Sequence, residues 1–477
     1  MSNNEGLLSD LVAIVGKENV SDSIFDRACY SQAALAVDIE PSKVAIAVVR
    51  PASAQEVSKV VAYANERRIP IYIRGSSTSF KGSPTPKREG SIILSTEKLT
   101  SFEMHEDDLY YEVGAGVNQL ELERMLLERG YMLPMNVGSK FAATIGGAVA
   151  INTIGHMVDI CLGKTIDFVM GVEAVLPNGE IIETGTKSIR RPAGIDLTRF
   201  FAGTEGVFGV ITKIRMRLVP EFRKAFVVGF FKEIKEIAYA FMRVYREKLP
   251  PPLYGEYLEK ESAKGAFRIR GLGKPKGSMA LAVTIGHTQE DADWQAKEIV
   301  RVFKAEGAIE ARIITEAKEQ EDLWACRDNI MNVFAVEEGE ERILLAGAAE
   351  CPVPLHNLPD LMDYYRTGHS HSILHEAKLF LYGHIGISDL HALWGAPASW
   401  PLDKRRQAIK EGTMLEKEVY LKWGGVAGEV GQTASRMPFF RERYGEAAYS
   451  MLLNVKKAID PNDILNPGNL MEGESEG

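Results

Sequence analysis

Three loops rich in glycine, serine and threonine lie in the front half of the chain, and they constrain the fold more than any other feature. They span residues 74–82, 138–147 with a continuation to Gly155, and 202–206. Small residues let backbone N–H groups approach an anion, and hydroxyl groups donate further hydrogen bonds. One such loop is typical of an ordinary turn. Three in one lobe, the first two after short extended segments, indicate a cradle for a phosphate-bearing ligand.

The fingerprint of a nicotinamide dinucleotide fold is missing from the sequence. No Gly-x-Gly-x-x-Gly follows a predicted strand and opens a helix. Gly271-Leu-Gly273 runs into Lys-Pro-Lys-Gly277, which is typical of a surface turn. The cradle is therefore predicted to differ from that fold.

The hydrophobic pattern predicts strand, helix and strand over residues 44–75. Ser53 and Glu56 form a capping box at the start of the helix. One apolar face then repeats at helical spacing: Val57, Val60, Val61 and Ala64.

Later segments predict an α+β protein. In the front lobe we expect a strand over 109–113, a helix capped by Asn118 with Glu121, a hairpin over 169–176 and 181–184 joined by Pro-Asn-Gly, and a strand over 207–218. Beyond Ala225, predicted strands alternate with helices: strands 226–231, 279–285, 311–314, 344–349 and 377–382, and helices 233–249, 291–306 and 358–365. One more helix is predicted over 446–459.

Length and composition exclude several classes of protein. With 477 residues the chain is too long for one core. A net charge of −9 argues against nucleic-acid binding and gives no electrostatic reason to sit on an anionic membrane. Four cysteines without a C-x-x-C pair indicate neither a disulfide framework nor an iron–sulfur cluster. Without a secretory signal or a long apolar run, we expect a cytoplasmic protein with no transmembrane segment.

His384 and His391 occur in the segment Tyr382-Gly-His-Ile-Gly-Ile-Ser-Asp-Leu-His391. A gap of seven places them on opposite faces of a straight strand, so they converge only if the chain turns at Gly386 and Ser388. Two imidazoles with an acid such as Glu429 suit a divalent cation, Zn²⁺, Fe²⁺ or Mn²⁺. The alternative is two polar histidines on a loop.

Residues 44–220 resemble the FAD-binding (PCMH-type) domain of the vanillyl-alcohol-oxidase flavoprotein superfamily. The resemblance rests on motifs that occur in the same order: Arg74-Gly-Ser-Ser-Thr-Ser79, Pro134-Met-Asn-Val-Gly-Ser-Lys140, the segments 143–152 and 196–212, and the closing Ile459-Asp-Pro-Asn-Asp-Ile-Leu-Asn-Pro-Gly468. It implies an FAD domain over 1–222, a substrate or cap domain with an antiparallel sheet over 223–424, and a C-terminal segment, 425–477, that returns to the flavin.

The resemblance implies a set of residues that contact FAD: Arg74, Gly75, Ser76, Ser77, Thr78, Ser79, Gly82, Gly138, Ser139, Thr144, Gly146, Gly147, Asn152, Gly155, Glu205, Ile211 and Asn466. Some members of the superfamily tether FAD through a histidine in the first loop. That position is Ser77 here, so the expected FAD is non-covalent. His156 is placed where it would approach the flavin, and the alternative is a polar loop residue.

Within the superfamily the chain is most similar to the D-lactate, glycolate and D-2-hydroxyglutarate dehydrogenase branch. Two histidines and a glutamate bind metal in that branch, and the motif falls on His384, His391 and Glu429. Two positions depart from the family motif. The family Asp-Gly-Asn is Ile387-Ser388-Asp389, and the histidine thought to act as the base is Val430, which cannot take a proton. His391 and Asp389 are the expected substitutes.

Arg327, on a predicted helix, aligns with an arginine that clamps the substrate carboxylate in this branch, and a guanidinium suits a carboxylate geometrically. The alternative is a surface or interface arginine. The neighbouring Cys326 is expected to be packed rather than reactive. His369, His371 and His375 are expected on a solvated loop without a ligand role.

The resemblance predicts oxidation of a small D-2-hydroxy acid, with Arg327, His384 and His391 as catalytic residues. Since no iron–sulfur or nicotinamide site is evident, reduced flavin must pass its electrons elsewhere, to an electron-transfer flavoprotein, an iron–sulfur subunit, a quinone or oxygen, and the family favours a protein partner. Two alternatives stay open: a non-catalytic flavin subunit of an electron-transfer complex, which Val430 favours, and an enzyme like alkylglycerone-phosphate synthase, which uses FAD without net oxidation.

Overall fold

A computed structural model describes residues 3–33, 40–79, 82–156, 159–189, 194–330, 332–333, 341–345, 349–350, 352–424 and 437–469. The chain divides into two compact units. The first consists of residues 1–155, 164–221 and 429–477, and the second of residues 156–163 and 222–428.

The helices in these ranges are α1 Asn3–Val15, α2 Ile24–Tyr30, α3 Ala54–Arg67, α4 Gln119–Leu127, α5 Ile145–Ile151, α6 Asp159–Leu162, α7 Thr165–Phe168, α8 Leu197–Phe201, α9 Ile234–Arg246, α10 Lys260–Ile269, α11 Gln289–Ala305, α12 Ala317–Asp328, α13 Leu358–Asp363, α14 Ser372–Glu376, α15 Leu402–Trp423 and α16 Met437–Ile459. Within α16 the helical backbone is interrupted at Gly445.

The strands in the same ranges are β1 Val20–Ser21, β2 Ala47–Val49, β3 Ile71–Arg74, β4 Ile92–Ser95, β5 Phe102–His105, β6 Tyr110–Gly114, β7 Val169–Val175, β8 Ile181–Glu183, β9 Val210–Arg217, β10 Arg223–Phe231, β11 Tyr254–Leu258, β12 Ser278–Gly286, β13 Glu310–Ile314, β14 Arg342–Leu344, β15 Ala349–Glu350, β16 Lys378–His384 and β17 His391–Pro397.

The first unit contains two sheets among its described residues. One has the order β1-β2-β4-β3, in which β2, β4 and β3 are parallel. The other has the order β5-β6-β9-β7-β8 and is antiparallel. The predicted strand, helix and strand are confirmed as β2, α3 and β3. Ser53 accepts a hydrogen bond from the Glu56 N–H, and the predicted apolar face of α3 is fully buried.

The second unit is built on an antiparallel sheet of order β13-β10-β12-β11-β16-β17-β14, with β15 paired to β17, among the residues described. Alternate residues of β10 enter two cores, Val227 and Phe231 on one face, Val228 and Phe230 on the other. Apolar side chains of α9 and α11 pack into the first core, and those of α10 and α12 pack into the second. The predicted α+β fold with an antiparallel sheet in the second half is therefore confirmed.

Two strands of this sheet were not predicted from the sequence, and two others were predicted as one. The missed strands are β11 and β17. Every residue of β11 is buried, so it lacks the polar and apolar alternation that identifies a half-exposed strand. The strand predicted over 344–349 is interrupted at Leu345, and residues 346–348 lie outside the described residues; β14 ends at Leu344 and β15 begins at Ala349. Both pair with β17.

The C-terminal segment is bound to the rest of the first unit through Lys456. This residue is 3% exposed and lies near the end of α16. Its Nζ donates to the carbonyl oxygens of Val207, at 2.9 Å, and Leu465, at 3.0 Å, and pairs with Asp460 at 2.5 Å. Beyond it, Asn466 N–H bonds to the Ile71 carbonyl of β3 at 2.8 Å. These bonds hold the segment against the parallel sheet.

None of the helices within the described ranges combines the length and the apolar composition that crossing a bilayer requires.

Replacement of Lys456 by Met should lower the free energy of unfolding of the first unit by about 3–5 kcal/mol, because it leaves the buried Asp460 carboxylate without its cation. Urea unfolding of the purified protein measures the change. Lys457, the exposed next residue, provides the control. Lys457→Met should change stability by less than about 0.5 kcal/mol, and equal losses in both variants would contradict the anchoring role.

Candidate active site

The first predicted cofactor loop begins where β3 ends, at Arg74. Arg74 Nη1 donates to the carbonyl oxygens of Tyr30 and Gln32, both at 2.7 Å. The Ser77 hydroxyl donates to the same Gln32 oxygen at 3.0 Å, from a left-handed backbone with φ +61°. The side chains of Arg74 and Ser77 therefore fix the loop to the N-terminal segment. The rest of the predicted set in this loop follows β3: Gly75, Ser76, Thr78, Ser79 and Gly82.

The second loop meets the first at Thr144, the residue before α5. Thr144 is buried, and its hydroxyl oxygen has no hydrogen-bond partner among the described residues. A Cβ on Gly75 would lie 2.3 Å from that oxygen, and one on Gly147 would lie 3.2 Å from it. A buried hydroxyl without a partner costs free energy unless a ligand satisfies it. An orphaned hydroxyl between two glycines fits a phosphate-bearing cofactor such as FAD.

Other predicted residues of the second loop have structural contacts. A Cβ on Gly146 would lie 2.6 Å from the Cβ of Ala115. The Asn152 side chain accepts from the Ile166 N–H at 3.1 Å. Gly155 has φ +68°, and a Cβ at this position would lie 2.4 Å from the Asn136 carbonyl oxygen. Only glycine therefore fits there. Gly138 and Ser139 lie in the turn that precedes α5.

The third loop is joined to the first loop and to the C-terminal segment. The Glu205 carboxylate accepts from the Ser83 hydroxyl at 2.6 Å, and the Glu205 carbonyl accepts from Asn466 Nδ2. Asn466 Oδ1 accepts from the Ile73 N–H of β3 at 2.8 Å. Ile211 is buried in β9. The structure thus brings all three loops and Asn466 into one region of the first unit, while their contacts with FAD stay a prediction.

Glu256 of β11 is the centre of a buried polar cluster in the second unit. The side chain is 0% exposed, and its residue lies opposite His384 in the register of β11 with β16. Oε1 is 2.6 Å from His384 Nδ1, and Oε2 accepts a hydrogen bond from Arg327 Nε. One carboxylate therefore holds an imidazole with one oxygen and a guanidinium with the other.

Arg327 and His384 also contact each other. Arg327, 5% exposed at the end of α12, places Nη2 3.2 Å from His384 Nε2 and its guanidinium carbon 4.9 Å from the ring centre of Tyr382. Because a guanidinium only donates hydrogen bonds, His384 Nε2 carries the lone pair and Nδ1 carries the hydrogen that faces Glu256. The predicted helical position of Arg327 is confirmed, and this arginine is not a surface residue.

The opposite charges of Glu256 and Arg327 stabilise each other. Burial by itself would raise the pKa of Glu256, but Arg327 and His384 outweigh it and hold that pKa well below its usual range. Burial would lower the pKa of Arg327, and the Glu256 carboxylate raises it instead. Both side chains are therefore charged at neutral pH.

His156 belongs to this cluster rather than to a polar loop. It is 3% exposed, and its Nδ1 lies 3.4 Å from Glu256 Oε1. Its Nε2 lies 3.3 Å from the carboxylate of Asp328. The imidazole therefore bridges two acids of the second unit.

The chain turns between His384 and His391, as the spacing requires. A short helical turn covers Ile385–Ile387, and Ser388 adopts a left-handed backbone with φ +60°. The two imidazole centres are consequently 5.2 Å apart. His391 stacks on Tyr382 at 4.7 Å, and its Nε2 lies 3.4 Å from the Asp389 carboxylate. Asp389 is 1% exposed, so this imidazole has a buried acid beside it.

The metal site predicted at His384, His391 and Glu429 stays a prediction, and a different set of possible ligands lies together among the described residues. Glu429 and Val430 lie outside these residues. The ligand atoms of His156, Glu256 and His384 lie within 4.8 Å of one another, a set that does not include His391. However, a guanidinium already bonds to Glu256 and faces the lone pair of His384. A second cation would meet that positive charge in a buried region.

The expectation of a solvated loop is wrong for His369, while His375, in α14, is exposed. His369 is 7% exposed and stacks on His375 with ring centres 4.2 Å apart. Burial, reinforced by His375, lowers the pKa of His369. His371 lies 3.0 Å from the carboxylate of Glu418. Packing therefore removes His369 from solvent, and His371 lies beside α15.

Glu256 is the site residue that sequence reasoning missed, because β11 was not recognised as a strand. The available signal was an acid flanked by aromatic residues in Tyr254-Gly-Glu-Tyr-Leu258. Cys326 is 0% exposed, as expected for a packed thiol, and burial raises its pKa to about 12.

Two family models match the chain. An FAD binding domain matches residues 45–185, and the C-terminal domain of FAD linked oxidases matches residues 220–470, more than half of the chain. The chain belongs to the FAD-linked oxidase family. FAD is accordingly the cofactor of its first unit, and the predicted superfamily is confirmed.

Curated relatives of this FAD-linked oxidase span nearly its whole length. It is 29% identical over 427 residues to a D-lactate dehydrogenase of Archaeoglobus fulgidus, covering 89% of this chain and 91% of the relative. It is 26% identical over 466 residues to the glycolate oxidase subunit GlcD of Bacillus subtilis, covering 96% and 95%. The chain is therefore an FAD-linked oxidoreductase related to hydroxy-acid dehydrogenases.

Solved structures with the same fold include p-cresol methylhydroxylase with substrate bound, with a TM-score of 0.78 at 17% identity over 98% of this chain and 97% of the other. Alkyldihydroxyacetonephosphate synthase is similar with a TM-score of 0.73 at 16% identity, covering 97% and 84%. At these identities the likeness shows the fold alone.

Replacement of Thr144 by Val in this FAD-linked oxidase should weaken FAD binding by roughly fivefold or more, the equivalent of one lost hydrogen bond. The apoprotein should become no less stable, because an unpartnered buried hydroxyl is removed. Flavin fluorescence titration and thermal unfolding of the apoprotein measure the two effects.

Thr198 is the matched control, since its buried hydroxyl lies 2.9 Å from the Thr184 hydroxyl. Thr198→Val should destabilise the apoprotein and leave FAD affinity unchanged. The opposite pattern in the two variants would exclude Thr144 as a cofactor contact.

Proposed function

We propose that this FAD-linked oxidase is a dehydrogenase that oxidises a small D-2-hydroxy acid, lactate-like in size, to the 2-oxo acid. The observation that carries the proposal is the Arg327 guanidinium 3.2 Å from His384 Nε2 within a buried cluster. The relatives named as D-lactate dehydrogenase and glycolate oxidase subunit support this substrate class.

Arg327 provides the contact for the substrate carboxylate. Its Nε is committed to Glu256, which fixes the plane of the guanidinium. The terminal nitrogens supply further N–H donors, in the forked geometry that suits a carboxylate. A carboxylate bound there brings the neighbouring carbinol carbon next to the imidazoles of His384 and His391.

His391 is the proposed proton acceptor, in place of the histidine that Val430 replaces. Its imidazole lies 3.4 Å from the buried Asp389 carboxylate, an arrangement that stabilises the imidazolium formed when the substrate hydroxyl loses its proton. His384, held by Glu256 through Nδ1, accepts from Arg327 at Nε2 and so positions the guanidinium. FAD, when bound, accepts the hydride from the carbinol carbon.

FAD is proposed to bind without a covalent bond, since the first loop carries Ser77 where a tether would need a histidine. Electrons from the reduced flavin are proposed to pass to a protein partner, an electron-transfer flavoprotein or an iron–sulfur subunit. The relative named as a subunit, GlcD, supports a complex.

Anaerobic mixing of the purified yellow protein with matched D- and L-2-hydroxy acids tests the function. A D-2-hydroxy acid should bleach the visible flavin band and yield the 2-oxo acid in equal amount, while its L-isomer should not. Flavin that dithionite reduces but no hydroxy acid bleaches would instead favour a non-catalytic electron-transfer subunit. Bleaching without net oxidation of the substrate would favour an activity like that of alkylglycerone-phosphate synthase.

Variants separate binding from proton transfer. Arg327→Lys keeps the charge but loses the forked contact, so KM should rise at least about tenfold, as expected for one charge-assisted contact. His391→Ala should lower kcat by roughly 10²–10⁴-fold with a smaller change in KM, as expected for a general base. Steady-state kinetics with the best hydroxy acid measure both, and unchanged kcat in His391→Ala would assign the base elsewhere. His371→Ala, remote from the cluster, is the control.

A further inference from the structure

The cluster of His156, Glu256 and His384 has the composition of a three-ligand metal site. Two imidazoles and one carboxylate, all buried, bring ligand atoms within 4.8 Å of one another. Three protein ligands of these types are typical of a catalytic zinc site that keeps one position open. Apart from the contacts of Arg327, these atoms have the spacing of a metal site.

Arg327 already supplies a positive charge at this place. Its Nε donates to Glu256 Oε2, and its Nη2 faces the lone pair of His384 at 3.2 Å. The guanidinium therefore contacts two of the three ligands that a cation would use. It is itself 5% exposed, so solvent does not weaken its field.

We propose that the Arg327 guanidinium takes the place of a divalent metal ion in this cluster, and that the protein works without a metal. The buried ion pair of Arg327 and Glu256 prevents the imidazoles of His156 and His384 from binding a metal ion. The proposal rests on the proposed function only for its catalytic consequence.

That consequence concerns the substrate hydroxyl. A bound metal ion would lower the pKa of the hydroxyl before oxidation, whereas a guanidinium binds the carboxylate and leaves the hydroxyl protonated. The O–H bond then breaks as its proton moves to His391, and the C–H bond breaks as its electron pair leaves with the hydrogen to FAD. A C=O bond forms, so protons and electrons balance.

The first measurement is the metal content of the yellow holoenzyme as purified, with turnover before and after dialysis against dipicolinate. The expected result is substoichiometric Zn, Fe and Mn and unchanged turnover. One metal ion per chain, whose removal abolishes turnover and whose return restores it, would overturn the proposal.

The second measurement creates the metal site. Arg327→Met removes the guanidinium and leaves His156, Glu256 and His384 in place, so it should gain Co²⁺ binding that wild type lacks. The readouts are the visible Co²⁺ absorption band and a rise in melting temperature with Co²⁺ concentration. Glu256→Gln/Arg327→Met, which lacks the carboxylate ligand, should lose both signals.

A second group of possible metal ligands, on the first unit, needs a control. Glu103, His105 and Glu112 also bring ligand atoms within 4.8 Å of one another. All variants are therefore compared in a His105→Ala background, which removes adventitious binding there.

No Co²⁺ response in folded Arg327→Met would show that the arginine does not occupy a metal position and would overturn the proposal. If that variant does not fold, the metal content and chelator response of the wild type decide alone. Failure of the proposed function has a different signature, a flavin that no hydroxy acid bleaches, whatever the metal content.

Discussion

The buried carboxylate of Glu256 is the interaction on which the arrangement of the second unit depends. Its two oxygens hold His384 and Arg327, and His156 lies beside the first of them. A buried charge is tolerated only when it is paired and hydrogen-bonded. The same bonds that make Glu256 tolerable therefore set the tautomer of His384 and the plane of the Arg327 guanidinium. Stability and site geometry have one cause here.

The first unit differs from the second, since it must leave polar groups available for a cofactor. Three of its side chains at the loops form structural hydrogen bonds: Arg74 and Ser77 to the N-terminal segment, and Asn466 to β3 and the third loop. Thr144 differs from these three, with a buried hydroxyl that has no hydrogen-bond partner among the described residues. Rigid loops around an unsatisfied hydroxyl form a site prepared for its ligand, which lowers the ordering cost of binding.

Local patterns predicted local structure well. The caps of α3 and α4, the apolar face of α3 and the turn between His384 and His391 all depend on residues close in sequence. Strand β11 was missed because a strand buried on both faces has no alternation to read. His371 was expected in solvent, but it lies beside Glu418 of α15, far along the chain. These errors share one cause, which is burial imposed by distant elements.

The amino-acid sequence by itself determined the phosphate-cradling loops, the two-part α+β organisation and the family, because glycine spacing, caps and motif order are properties of neighbouring residues. Only the tertiary structure decided that Glu256 joins Arg327, His384 and His156, since these come from a strand, a helix, a second strand and a remote segment of the same unit. Whether an arginine presents its charge to a ligand or to an internal acid depends on such long-range packing. The spacing of residues along the sequence does not reveal this choice.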